Sequence, residues 1–251
     1  MDLLVRDKAY IVTGGSRGLG FATAKVLVEE GARVVVSGRD KERVRGAVDE
    51  LGADRAEGVA ADNADPATAD HLIGAAEGRF GRVDGALISV GGPPPGPVMA
   101  TGDDAWRSSF ESVFLGAVRL ARAVAEAAGG DGASIVFVLS TSVRSPIPGL
   151  AVSNGLRPGL AMVAKTLADE LGPRAIRVNG ILPGRIATER MAELDAGADE
   201  AARRATLAAI PLGRHGQPEE FGRMAALLLS PVASYVTGSL LTVDGGALRT
   251  L

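Results

Sequence analysis

Apolar residues in this chain fall in short, nearly unbroken runs. Longer stretches separate them, in which apolar positions recur every three or four residues. The runs lie at 10–13, 33–37, 58–61, 86–89, 135–139, 176–182 and 240–243; Val34, Val35 and Val36 fill the second. Strands exposed on one face alternate apolar with polar positions, so runs without alternation predict strands covered on both faces. The intervening stretches at 20–30, 45–51, 67–80, 104–128, 152–171 and 219–229 carry helical spacing, as with Ala22, Val26 and Leu27 in the first. Thr101 and Asp104 have the spacing of a capping box before the fourth helix.

Regular strand–helix alternation predicts an α/β fold: a Rossmann-type, doubly wound parallel sheet of about seven strands with helices on both faces. No linker or repeat interrupts residues 1–251, which read as a single dinucleotide-binding domain. Residues 187–210, rich in Ala and Arg, break the rhythm and are expected to form a helical flap over the site.

Composition narrows the chemistry. The net charge of −3 and the lack of basic stretches interleaved with aromatics argue against a nucleic-acid partner. No apolar run is long enough to span a membrane, and the first eight residues do not read as a signal peptide, so a cytoplasmic setting is expected. The absence of cysteine excludes disulfides and a thiolate nucleophile. With only His71 and His215 besides, no metal site is expected.

The strongest local signal is the loop Thr13-Gly14-Gly15-Ser16-Arg17-Gly18-Leu19-Gly20 between the first strand and first helix. Glycines let backbone approach a pyrophosphate, and the helix N-terminus offers free N–H groups. The second strand then ends at Ser37-Gly38-Arg39, with no acid before Asp40. An NAD site normally places an acid here for the ribose 2′-hydroxyl. Arg39 and Arg17 are instead suited to a 2′-phosphate, so the cofactor expected is NADP(H). The alternative is that both are ordinary solvated surface arginines.

More motifs lie in order along the chain. Asp62-Asn63 comes after the third strand, and Ser89-Val90-Gly91 ends the fourth. Ile176-Arg177-Val178-Asn179 leads into Pro183-Gly184 with Ile186 and Thr188, and Val243-Asp244-Gly245-Gly246 lies near the C-terminus. With the glycine loop, these motifs resemble the short-chain dehydrogenase/reductase family from end to end, in its 3-oxoacyl-acyl-carrier-protein reductase-like form. The loop from Thr13 to Gly20 matches that family's TGxxxGxG. Asp62-Asn63 resembles the pair that touches adenine. Ser89-Val90-Gly91 stands at the end of the NNAG motif, keeping Gly91 but neither asparagine. The segment from Ile176 to Thr188 matches IRVN…PGxIxT at the nicotinamide end. The resemblance implies a homotetramer built on helices 104–128 and 152–171, and a small carbonyl or alcohol substrate.

The catalytic positions depart from the pattern. The family uses Asn, Ser, Tyr and Lys; aligned on Lys165-Thr166-Leu167-Ala168, the same positions here are Val113, Ser140, Ser153 and Arg157. The two tyrosines, Tyr10 and Tyr235, lie far from the gap in sequence. Serine is a much weaker acid than the family phenol, and Arg157 is no proton shuttle, though it can hold the nicotinamide ribose or stabilise a substrate oxygen. Ser153 also suits a helix N-cap. Arg144, Arg157 and Arg185 are expected around one cleft, where they would suit an anionic substrate, Arg144 and Arg185 being otherwise solvated loop residues. Pro93-Pro94-Pro95 and Pro146-Ile147-Pro148 are expected to stiffen bordering loops. His215 reads as structural, and Trp106 as a core or subunit contact. Two functions stay open: an NADP(H)-dependent oxidoreductase with an unusual catalytic set, and an NADP(H)-binding protein without dehydrogenase activity.

Overall fold

A computed structural model describes residues 2–197 and 199–250. Seven parallel strands form one sheet in the order β3-β2-β1-β4-β5-β6-β7. They are β1 (Ala9–Val12), β2 (Arg33–Gly38), β3 (Ala56–Ala60), β4 (Gly85–Ile88), β5 (Ala133–Val138), β6 (Ile176–Pro183) and β7 (Leu240–Val243). The order reverses between β1 and β4, which pair with each other, and this leaves a crevice at their carboxyl ends.

The two-residue period of the strands divides their side chains between two cores. Ile11, Val35, Ala86, Ile88, Ile135 and Phe137 face one side. There they meet α3 (Thr68–Phe80), α5 (Gly116–Ala127) and α6 (Ala151–Leu171). Tyr10, Val12, Val34, Val36, Leu87, Val136 and Val138 face the other. There α1 (Gly18–Glu29) and α9 (Pro218–Leu229) contribute Leu27 and Phe221. This two-sided burial is why the strand runs lack alternation.

The other α-helices are α2 (Lys41–Leu51), α4 (Asp103–Ser109), α7 (Glu189–Asp195) and α8 (Glu200–Ala208). Three expectations need correction. β3 starts at Ala56, its buried residue, two residues before the expected start at 58. The helix expected at 104–128 contains a π-helical segment, Phe110–Leu115, between α4 and α5. No capping box forms on Thr101, whose hydroxyl donates to the Pro97 carbonyl while Gly102 takes the N-cap position. The flap is two short helices, α7 and α8.

Glycines on α6 set how it docks. A Cβ on Gly155 would sit 2.8 Å from Trp106, and one on Gly159 would sit 3.1 Å from Phe114. Trp106 therefore packs within the subunit, half-buried against α6.

Candidate functional site

The loop after β1 is shaped by close backbone approach. Gly14 and Gly18 adopt φ of +59° and +57°. A Cβ on Gly20 would meet the Gly14 carbonyl at 2.3 Å, so only glycine lets α1 begin this close beneath the loop. Leu19 lies in the first turn of α1, packed against the second core. The helix starts with no side-chain cap, which leaves its first N–H groups without a side-chain acceptor. Ser16 packs on Gly38, where a Cβ would lie 2.6 Å from the Ser16 hydroxyl. Ser37, fully buried, accepts the Gly15 N–H through its carbonyl at 2.9 Å. Across the reversal of strand order, the Thr13 hydroxyl bonds both backbone polar groups of Ser89. Gly91, just beyond, is exposed and has open space around it.

The residues expected at the adenosine end lie at the ends of β2 and β3. Arg39 is exposed at the end of β2. Asp40 accepts from the Glu42 and Arg43 N–H groups and so caps α2. Its carboxylate is thus already engaged by two backbone N–H groups. Asp62 closes a turn with the Ala64 N–H, and the Asn63 backbone lies against Gly116, where a Cβ would be 2.0 Å from the Asn63 carbonyl. Arg17 does not point freely into solvent. It meets Glu189 at 2.5 Å, and Arg43 meets the same carboxylate oxygen at 3.0 Å. Those bonds, Arg43 foremost, hold the Glu189 carboxyl below the usual carboxylate range. Nothing in the motifs points to Arg43 or Glu189. The available signal is only that Arg43 follows Arg39 closely in sequence, in the first turn of α2.

At the far end, Pro183 closes β6, and a Cβ on Gly184 would collide with Asp244 at 2.6 Å. Ile186 is buried and bridges to Gly216, which pins the loop carrying half-buried His215. Thr188 caps α7, and its methyl group lies beside Gly18. Arg190 donates to the Pro93 carbonyl at 2.9 Å. The flap therefore crosses the crevice from the glycine loop to the proline loop.

The central polar group lies where β5 meets α6. Ser140, half-buried, accepts the Ser142 N–H at 3.1 Å and starts a short 3-10 turn. Ser153 is not a helix cap: Leu150 takes that place, and Ser153 is the third helical residue, buried. Its hydroxyl lies 3.5 Å from that of Ser142, a residue that the run Ser140-Thr141-Ser142 does not mark out by type. Arg157 is buried and donates to the Val138 carbonyl at 2.7 Å. Burial lowers its pKa to about 10, and it remains charged at neutral pH. Among the described residues no carboxylate pairs with it. Pro158 follows directly, so the Asn154 carbonyl lacks its usual helical donor. The Asn154 side chain in turn makes two bonds to the Ile147 backbone. The proline loops are joined as well, since Gly96 bonds Gly149 and Ala151. Arg185 pairs with Asp195 inside the flap, and Arg144 is exposed. Val113 is buried in the π-helical segment. Tyr10 is sealed in the second core, and Tyr235 is fully exposed near β7.

Among the described residues, no cluster of His, Asp or Glu could hold a metal ion, and no helix is long and apolar enough to cross a membrane. Comparison with known proteins agrees with the architecture. The family model described as enoyl-(acyl carrier protein) reductase matches residues 14–247. An uncharacterized oxidoreductase of Mycobacterium tuberculosis is 35% identical over 96% of this chain and 92% of its own. The 3-oxoacyl-acyl-carrier-protein reductase of Vibrio cholerae is 31% identical over 96% and 98%. The solved structure of L-sorbose reductase from Gluconobacter frateurii, complexed with NADPH and L-sorbose, superimposes with a TM-score of 0.93 at 31% identity over all of both chains. The glycine loop, the crevice at the strand reversal and these matches have one explanation: the chain belongs to the short-chain dehydrogenase/reductase family of oxidoreductases.

Proposed function

We propose that this protein is an NADP(H)-dependent oxidoreductase acting on a small carbonyl or alcohol substrate through a non-standard catalytic set. The observation that carries the cofactor reading is the convergence of Arg17 and Arg43 on one carboxylate oxygen, with Arg39 exposed at the end of β2 and the acid after it, Asp40, engaged as a helix cap. Two guanidinium groups meeting at one anionic oxygen suit a phosphate better than a ribose hydroxyl. The glycine loop and uncapped start of α1 fit a pyrophosphate, with Asp62 and Asn63 at the adenine and Ser89, Gly91, Pro183, Gly184, Ile186 and Thr188 toward the nicotinamide. The relative solved with NADPH supports the same choice.

The cofactor supplies hydride to, or accepts it from, a carbon held beside the nicotinamide. This chain must place that carbon and manage the proton on its oxygen. Ser140 offers a hydroxyl to orient the substrate oxygen, and Arg157 supplies fixed positive charge to stabilise it. Ser153 and Ser142 can pass a proton only as weak acids. Neither is matched to neutral pH as the family phenol is. A buried cation with no carboxylate partner among the described residues also favours a substrate with an anionic group. The exposed side chains Met162 (69%) and Phe110 (42%), on the helices that the resemblance assigns to subunit contacts, support a homotetramer.

A second reading has a specific observation behind it. Arg157 is turned toward Val138, and no described tyrosine, lysine or histidine side chain joins the serine cluster. That arrangement also suits a protein that binds NADP(H) and performs no reduction. Oxidation of NADPH followed against a panel of small aldehydes, ketones and oxo acids separates the two. Turnover with any of them supports the enzyme, and tight binding without turnover supports the second reading.

A further inference from the structure

The flap closes on the crevice through three consecutive residues. Thr188 lies on Gly18, Glu189 joins Arg17 and Arg43, and Arg190 reaches Pro93. Glu189 holds the middle of this bridge. One of its carboxylate oxygens collects two cations, from the glycine loop and from α2. These come together from positions 172 and 146 residues away in the chain. Both ion pairs are about half exposed, so water screens them and they are easily exchanged. A phosphate monoester presents the same kind of oxygen with nearly twice the charge and more acceptor sites.

We propose that Glu189 is an internal competitor for the cofactor 2′-phosphate: it neutralises Arg17 and Arg43 when the crevice is empty and is displaced when that phosphate arrives. This rests on the reading that these arginines hold a 2′-phosphate, and it adds Arg43 to the group. It makes Glu189 a specificity-determining residue. NADH carries no 2′-phosphate and leaves the bridge in place. NADPH must break it, so its affinity is lower than the three arginines alone would give. Removing the carboxylate therefore strengthens NADPH and leaves NADH nearly unchanged.

The test uses adenosine 2′,5′-bisphosphate and 5′-AMP, which report on this end of the cleft without any chemistry at the nicotinamide. Calorimetry compares the parent protein with Glu189→Gln and Arg43→Ala. Glu189→Gln is expected to bind the bisphosphate three- to tenfold more tightly and 5′-AMP within twofold of the parent. Arg43→Ala is expected to weaken the bisphosphate about tenfold and to spare 5′-AMP, which also shows that each variant is folded. A parent protein with equal affinity for the two probes would overturn the cofactor reading itself. A parent that prefers the bisphosphate, with Glu189→Gln unchanged or weaker, would overturn the competitor alone.

Discussion

The hydroxyl of Thr13 accepts from the Ser89 N–H at 2.9 Å and donates to the Ser89 carbonyl at 2.8 Å, tying the ends of β1 and β4 together. One small side chain thus extends the backbone pairing of β1 and β4 to the point where the strand order reverses. Thr13→Val keeps the shape and removes both bonds, leaving two backbone groups without partners. It is expected to cost about 1–3 kcal/mol in stability and to weaken NADPH binding. Urea denaturation and a fluorescence titration check both, and unchanged binding would show that Thr13 serves stability alone.

Cofactor choice follows from charge at the other edge. The parent protein is expected to bind NADPH more tightly than NADH. Arg39→Ala should weaken NADPH about 10- to 100-fold, as loss of a charge-assisted contact does, with little effect on NADH. Equal calorimetric affinities for the two cofactors in the parent would contradict this.

The serine cluster predicts slow chemistry. Reduction of a short 3-oxoacyl thioester with NADPH is expected to lag behind ordinary family members by about two to four orders of magnitude, the usual value of a matched general acid. Ser153→Tyr combined with Arg157→Lys should recover part of that loss. Arg157→Ala should reduce both cofactor binding and turnover, and Ser153→Ala should do less. Steady-state assays decide, and rapid turnover by the parent would mean that another proton route operates.

Asp84, at the opposite end of the sheet, gives a pH-dependent test of stability. Its burial alone would raise its pKa. Bonds from Arg82, the Ala9 N–H and Lys8 outweigh that and hold it below the ordinary 3.8. A depressed carboxylate contributes stability above its unfolded pKa and loses it as the pH falls through the folded value. Asp84→Asn is expected to cost about 2–3 kcal/mol at pH 7, in line with hydrogen bonds to a charged group. The gap from the parent should narrow below about pH 4, as the carboxylate of the parent begins to take up its proton. Melting curves from pH 7 to pH 3 measure it, and a gap independent of pH would argue against the assignment.

Assembly is tested by light scattering. A tetramer is expected at micromolar concentration, and Met162→Glu, which puts charge on an exposed apolar position of α6, should give a smaller species. A monomeric parent would rule the tetramer out.

The sheet is legible in the sequence because burial on both faces removes polar positions from strands, as Val34 to Val36 show. The glycine loop is legible because backbone crowding at Gly20 admits no other residue. What escapes depends on partners distant in the chain. Nothing local to Glu189 indicates that Arg17 and Arg43 await it. Arg177 belongs by sequence to a motif at the nicotinamide end, yet its guanidinium collects the Leu228, Leu229 and Ser230 carbonyls at the end of α9 and the Val236 carbonyl ahead of β7. The π-helical segment is invisible because Phe110–Leu115 has ordinary helical composition. Ser153 suggests a cap by residue type, but the helix begins two residues before it, at Ala151.

Residues 153 and 157 occupy one stripe of α6, and the aromatic seats at Gly155 and Gly159 occupy another, roughly opposite at about 100° per residue. The positions proposed for chemistry and the positions used for packing thus lie on different faces of a single helix. Trp106 and Phe114 hold the helix on the face away from Ser153 and Arg157. Substitutions at 153 and 157 therefore probe the proposed proton chemistry from a face of the helix that does not carry its aromatic seats.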